Sequence, residues 1–199
     1  MKNNVFICIE GLDGSGKTTQ TKLLVKNLRR KGFNAIYTAE PTRGKVGRFI
    51  RKYYLHCKNR GSRIVEALLF AADRYEHIEK EISPLLKAGG FVISDRYIYS
   101  SLAYQGAAGL SLDWIKSVNE HVLKPSLALF LDVDPKVAMK RLKPRKSVME
   151  NVETQQSVRD IYMKYVDKGE LTRVDGNRDL PAVAESILSL VLARLEKTS

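Results

Sequence analysis

Eight consecutive residues constrain this chain more than any others. Gly11-Leu12-Asp13-Gly14-Ser15-Gly16-Lys17-Thr18 fits the pattern G-x-x-x-x-G-K-[ST]. The residues before it, Val5-Phe6-Ile7-Cys8-Ile9, are apolar at consecutive positions, as in a strand buried on both faces. The residues from Lys17 to Lys31 read as a helix. Strand, glycine-rich turn and helix together make a phosphate cradle. The glycines let the backbone turn tightly, so that successive N–H groups point inward at an anion. The helix N-terminus adds partial positive charge. Lys17 is placed to reach the β- and γ-phosphates of a nucleoside triphosphate, and the Thr18 hydroxyl a Mg²⁺ ion. The expected triphosphate-binding residues are Gly11, Asp13, Gly14, Ser15, Gly16, Lys17, Thr18 and Thr19. The pattern does not say what becomes of the triphosphate.

Further short apolar runs follow: Ala35-Ile36-Tyr37-Thr38, Phe91-Val92-Ile93-Ser94, Leu127-Ala128-Leu129-Phe130-Leu131 and Leu171-Thr172-Arg173-Val174. Helical patterns separate them. Ile64, Leu68, Ala71, Tyr75, Ile78, Ile82 and Leu85 fall on one face of a long helix. Leu180, Val183, Ala184, Ile187, Leu188, Val191 and Leu195 do the same near the end of the chain. This alternation predicts an α/β fold, a parallel sheet with helices on both faces and ligands at the carboxyl ends of the strands. Two strands end there in aspartate, Asp95 and Asp132. Asp95 is followed by Arg96 and is assigned to the metal. Asp132 leads into Val133-Asp134-Pro135, a turn and helix cap, and is assigned to structure. Lys143-Pro144-Arg145-Lys146-Ser147 is basic and broken by proline. It reads as an exposed loop between helices over Lys136 to Leu142 and Val152 to Val166.

Composition narrows the class. The chain has 199 residues, enough for one domain with a sizeable core, and its mean hydropathy of −0.26 fits a globular protein. No apolar run approaches the ~18–20 residues of a membrane span. The segment from Met1 runs straight into the first strand with no leader-like pattern, and Cys8 and Cys57 lack metal or redox spacing. A reduced, cytoplasmic setting is expected. With 34 Lys+Arg against 22 Asp+Glu, the net charge of +12 suits either nucleic acid or small phosphate-bearing substrates. The basic residues are spread along the chain, so nucleic acid is not expected as a partner. His56, His77 and His121 have no ligand spacing and receive no role.

Four blocks carry a resemblance. They are Phe6 to Gln20, Glu40-Pro41, Leu68-Leu69-Phe70-Ala71-Ala72-Asp73-Arg74, and Asp95-Arg96-Tyr97-Ile98-Tyr99-Ser100-Ser101-Leu102-Ala103-Tyr104-Gln105-Gly106. Together they resemble the thymidylate kinases over nearly the whole chain. The resemblance implies a P-loop fold with a five-stranded parallel sheet and a short lid, here near residues 141–152 of a single 1–199 domain. It implies ATP-dependent phosphorylation of thymidine 5′-monophosphate toward dTTP, with Mg²⁺, and a homodimer. By position, Phe70 would stack on thymine, Arg74 donate to a thymine carbonyl and Gln105 read the base edge. Tyr104 would pack near the deoxyribose and Asp13 accept from the 3′-hydroxyl. Arg51 and Arg96 would grip the monophosphate beside Ser100 and Ser101. Taken singly, Phe70 and Tyr104 fit core packing, Arg74 a solvated charge and Arg51 a helix-terminal cation.

Phosphoryl transfer also needs a cation over the moving group. Gly14 stands where some thymidylate kinases carry a P-loop arginine, so the cation is expected from the lid: Arg145 or Lys143, with Arg141 more distant. Arg145 joins Lys17 and Arg96 as the expected catalytic set, with Thr18 and Asp95 for the metal. Asn151 occupies the position where many lid-type members carry another arginine. The turn Asp175-Gly176-Asn177 is the expected edge of the adenine pocket. The alternatives are a kinase for another deoxynucleoside monophosphate and a P-loop binding module with reduced transfer activity.

Overall fold

A computed structural model of the chain describes residues 4–55, 61–142 and 151–196. Among the described residues there are five strands: β1 (Val5–Gly11), β2 (Ala35–Ala39), β3 (Phe91–Asp95), β4 (Leu127–Asp132) and β5 (Thr172–Asp175). They form one sheet in the order β2-β3-β1-β4-β5, and every pair is parallel. Helices α1 (Lys17–Arg30) and α9 (Leu180–Glu196) pack together on one face. On the other lie α3 (Arg63–His77), α5 (Ile98–Ala107) and α8 (Val152–Asp167). Cover on both sides explains the unbroken apolar runs. Phe6, Ile7, Cys8 and Ile9 of β1 and Leu129, Phe130 and Leu131 of β4 are all buried. Phe130 stacks on Tyr162 of α8 at 4.7 Å, and Phe6 meets Tyr97 edge-on at 4.8 Å.

Register fixes where chemistry can gather. Ile9 of β1 lies beside Asp95 of β3 and Leu129 of β4. The phosphate-type turn after β1 and the Asp95-Arg96 pair after β3 therefore emerge at the same edge. From β1 the chain goes out to β2 and returns through β3, while β4 lies on β1's other side. This is the topological switch point, where ligands bind in sheets of this kind.

The long helix predicted over Ile64 to Leu85 is realised as α3, one wider π-type turn over Ile78–Ile82, and α4 (Ser83–Lys87). Its buried face differs from the one expected. Ile64 and Leu68 are about half exposed, at 51% and 45%, whereas Ala67, Ala71, Arg74 and His77 are buried. Two alanines bring the helix close to its neighbours, and polar side chains occupy the interior positions that an apolar count assigns to hydrophobes. Leu180 is likewise exposed at the start of α9, whose Val183, Ile187, Val191 and Leu195 are buried as expected. Helix α2 (Lys45–Ile50) continues as a π-type turn through Leu55, and α6 (Leu112–Ser117) follows α5. Asp134 caps α7 (Pro135–Arg141) by accepting from the Lys136 amide at 2.7 Å, with proline at the first position as predicted.

Candidate active site

The turn between β1 and α1 owes its shape to glycine. Gly14 (φ 80°) and Gly16 (φ 90°) adopt left-handed backbone. A Cβ on Gly14 would lie 2.1 Å from the carbonyl oxygen of Ala138 in α7. An arginine is barred there by contact as well as by conformation. Helix α1 begins at Gly16 with no side-chain cap and no acidic residue in its first turn. Its first amides have no side-chain competitor for an incoming anion. The Ser15 hydroxyl is buried without a partner. Lys17 is buried, and its ammonium donates to Leu12 O at 3.1 Å and Asp13 Oδ1 at 3.4 Å. Burial, with the like charge of Arg96, lowers its pKa. Thr18 and Thr19 are exposed in the first turn.

The two strand-end aspartates differ in what is left free. Asp132 has both oxygens occupied: Arg159 donates to them at 2.7 and 2.9 Å, and Arg173 to Oδ2 at 2.7 Å. Asp95 Oδ2 accepts from Thr18 Oγ1 at 2.5 Å and from the Tyr37 hydroxyl at 3.4 Å, while Oδ1 is buried with no partner. A threonine hydroxyl beside a carboxylate oxygen in need of a partner fits Mg²⁺ carried with phosphates and water. Among the described residues, no three His, Cys, Asp or Glu side chains gather to cage an ion. Burial, then the charge and hydrogen bond of Asp95, push the Tyr37 hydroxyl up to about 12, while Arg51 and Arg43 act in the opposite direction.

Arg96 has φ 74°, left-handed backbone in a residue other than glycine. Local bonds hold it there: its amide donates to Ile9 O at 3.0 Å, and Ser94 Oγ donates to its carbonyl at 2.7 Å. The guanidinium reaches Asp13 Oδ1 at 2.5 Å and Ser100 Oγ at 2.9 Å, and lies 4.9 Å from the Tyr104 ring centre. Tyr104 OH accepts from the Asp13 amide at 3.0 Å, tying α5 to the cradle. Partial burial would raise the pKa of Asp13, but the charges of Arg96 and Lys17 prevail and hold it well below the usual carboxylate range.

Beneath Arg96 lies Glu10, to which sequence reasoning gave no role. It is fully buried, accepting from the Tyr97 amide at 2.8 Å, Ser100 Oγ at 2.5 Å and Tyr162 OH at 3.1 Å. Burial raises its pKa against these bonds. Ser100 therefore donates to Glu10 and accepts from Arg96, so a buried carboxylate orients the arginine. The available signal was a single acidic residue closing an otherwise apolar strand.

The other expected binding residues lie where α3 and α5 meet. Arg74 is 1% exposed. Its guanidinium donates to Glu40 Oε2 at 3.0 and 2.8 Å, Asn119 Oδ1 at 2.7 Å, Ser101 Oγ at 2.9 Å and Tyr97 O at 3.2 Å. This leaves one Nη1 hydrogen unassigned. One turn beyond Ser101, Gln105 is buried and its Oε1 has no partner. Arg63 donates to Ala108 O and Arg74 to Ser101, so α3 and α5 run antiparallel. Phe70, one turn before Arg74 on α3, is half-buried. Arg51, exposed just after α2, donates to Pro41 O and lies 3.5 Å from Thr42 O.

Of the expected lid cations, Lys143 and Arg145 lie outside the described residues. Arg141, the third, has Nη1 3.5 Å from Ser15 O and so reaches the cradle. Asn151 caps α8, accepting from the Thr154 amide at 2.6 Å. Among the described residues no helix is long and apolar enough to cross a membrane.

Comparison with known proteins gives these features a family. The family model described as "Thymidylate kinase" matches residues 9–187. The chain is 45% identical over 196 residues to a "Probable thymidylate kinase" of Pyrococcus abyssi, covering 94% of this chain and 95% of that one. It is 41% identical to one from Thermococcus onnurineus, covering 97% and 100%, and 40% identical to one from Staphylothermus marinus, covering 97% of each. With a P-loop, a strand-end Asp-Arg pair and this near-complete match, the chain belongs to the thymidylate kinase family, and it is a nucleoside monophosphate kinase, a phosphotransferase.

Proposed function

We infer that this kinase moves the γ-phosphoryl group of ATP onto the 5′-phosphate of thymidine monophosphate, giving the diphosphate for dTTP synthesis. The observation that carries the acceptor is Gln105 Oε1, a buried acceptor without a partner, one helical turn from the Arg74–Ser101 contact. Thymine presents an N3–H donor beside an O4 acceptor. Cytosine presents the reverse, an acceptor beside an amino donor. An acceptor on Gln105 and the remaining donor of Arg74 match thymine and leave cytosine's groups unpaired, which a buried site penalises strongly. Phe70 supplies the flat face. Tyr104 and Asp13 lie toward the sugar, and Arg96 and Arg51 hold the acceptor phosphate beside Ser100.

On the donor side the turn amides and Lys17 hold the triphosphate. Thr18 and Asp95 would hold Mg²⁺, which neutralises charge on the transferring group. The acceptor oxygen is already anionic, so no strong base is needed. Arg145 is the proposed cation over the moving phosphoryl, in a lid rooted in α7 and α8 whose near end, at Arg141, lies against Ser15. Exposed apolar side chains on α2 and α3 support a homodimer.

The test is ADP formation with ATP, Mg²⁺ and a panel of monophosphates, with Lys17→Ala as the blank. Turnover is expected to be strongest with thymidine monophosphate. Gln105→Met should lower kcat/KM for it by about ten- to a hundred-fold, with the KM for ATP unchanged. Equal turnover with deoxycytidine monophosphate would overturn the reading.

A further inference from the structure

We propose that His77, outside the substrate site as described above, is a positioning residue for base recognition. It holds Glu40, and through Glu40 it fixes the guanidinium of Arg74. The proposal rests on the reading of Arg74 as a base-binding group. His77 is 2% exposed and lies on α3, three residues after Arg74. Its Nδ1 lies 3.1 Å from Glu40 Oε1, and its Nε2 lies 2.6 Å from Thr38 Oγ1 and 3.6 Å from Glu81 Oε2. A carboxylate can only accept, so Nδ1 carries a proton and donates to Oε1, while Nε2 pairs with the Thr38 hydroxyl. Glu40 thus divides its two oxygens: Oε1 belongs to His77, and Oε2 to Arg74 at 3.0 and 2.8 Å.

This division matters because Glu40 is only 5% exposed. Without His77, Oε1 would be buried and unpaired. The carboxylate would turn to recover a partner, and Oε2 would leave the geometry that aims Arg74. Asn119 and Ser101 hold other edges of the guanidinium but do not restrain Glu40. The neighbouring carboxylate, Asp73, is taken by the Thr42 amide and hydroxyl at 2.8 and 2.6 Å and does not substitute for it. The line Thr38–His77–Glu40 therefore runs from the end of β2 to Arg74 at the base pocket.

The experiment measures steady-state KM for each substrate, kcat and thermal midpoint on the full chain carrying His77→Leu, His77→Asn or His77→Gln. An asparagine amide donates near the position of Nδ1, whereas a glutamine amide extends toward Thr38 and leaves Oε1 unpaired. The KM for thymidine monophosphate should rise about ten-fold in the leucine and glutamine variants, the size expected of one charge-assisted hydrogen bond. The KM for ATP and kcat should stay unchanged, and the asparagine variant should recover most of the loss. A lower thermal midpoint with unchanged KM for thymidine monophosphate, or both KM values rising together, would reduce His77 to a structural residue. Should the leucine variant fail to fold, asparagine against glutamine decides, and glutamine outperforming asparagine overturns the proposal. Arg74→Lys separates the two layers. If it leaves the KM for thymidine monophosphate unchanged, the base-pocket reading is at fault; if it raises that KM while the His77 variants do not, only the positioning role falls.

Discussion

Asp13 shows how one side chain is tuned by its neighbours. It sits between Arg96 and Lys17, at 2.5 and 3.4 Å, and its carboxyl is held well below the usual range. An unfolded aspartate titrates near ~3.9. With the folded value lower, the native protein binds fewer protons than the unfolded chain. The stabilisation is therefore fully present above about pH 5 and fades as the pH falls through ~4 toward the folded value. Urea midpoints of the wild type and Asp13→Asn are expected to differ by a constant amount from about pH 5 to 8, and the difference to shrink steadily as the pH falls below about 4. A gap as large at pH 3 as at pH 7 would contradict this assignment. Asp13, Lys17 and Arg96 were legible in the sequence because each falls inside a short motif. Glu10 and Tyr162 were not, since their bond spans 152 positions and nothing local announces it. His77 escaped for the same reason: its partners Thr38 and Glu40 lie at the end of β2 and just beyond it, far from α3 in sequence.

Among elements, the strands and the longer helices α1, α3, α8 and α9 were readable, the strands because those covered on both faces write themselves as apolar blocks, while α5 and α6 received no expectation. The face of α3 was not readable. Its interior is built from alanines and a charged network, so Ile64 and Leu68 lent the apolar period to the exposed side. The separation of Asp95 from Asp132 also belongs to this scale, since both close strands at one sheet edge. Asp132 joins β4 to α8 and β5 through Arg159 and Arg173, which are 26% and 50% exposed. Removing it leaves two arginines that water can reach, so Asp132→Ala should cost about 1–3 kcal/mol in urea unfolding, with kcat/KM unchanged. Asp95→Asn should do the opposite, lowering kcat by more than about a hundred-fold at similar stability. An inactive Asp132→Ala variant of normal stability would exchange the two roles.

At the scale of the whole molecule, the exposed apolar side chains are unevenly placed. Phe49 and Tyr53, on α2 and its continuation, and Ile64, Val65 and Leu68, on α3, are each about half exposed. Helices α2 and α3, which carry them, pack against each other. A second copy is the proposed cover. Sedimentation should give about twice the 22.5 kDa chain mass, and Leu68→Glu should shift the population to single chains. A wild type that sediments as a single chain at high concentration would remove the dimer.

The close seating of Gly14 on Ala138 has an architectural consequence. With backbone against backbone at that point, the phosphate turn and helix α7 behave as one casting, and α7 is the stem from which the expected lid departs. Residue 14 and the lid are then linked choices. A lid grafted from a relative with arginine at this position would arrive on a stem shaped for a different turn, so lids are portable only among chains that keep glycine there.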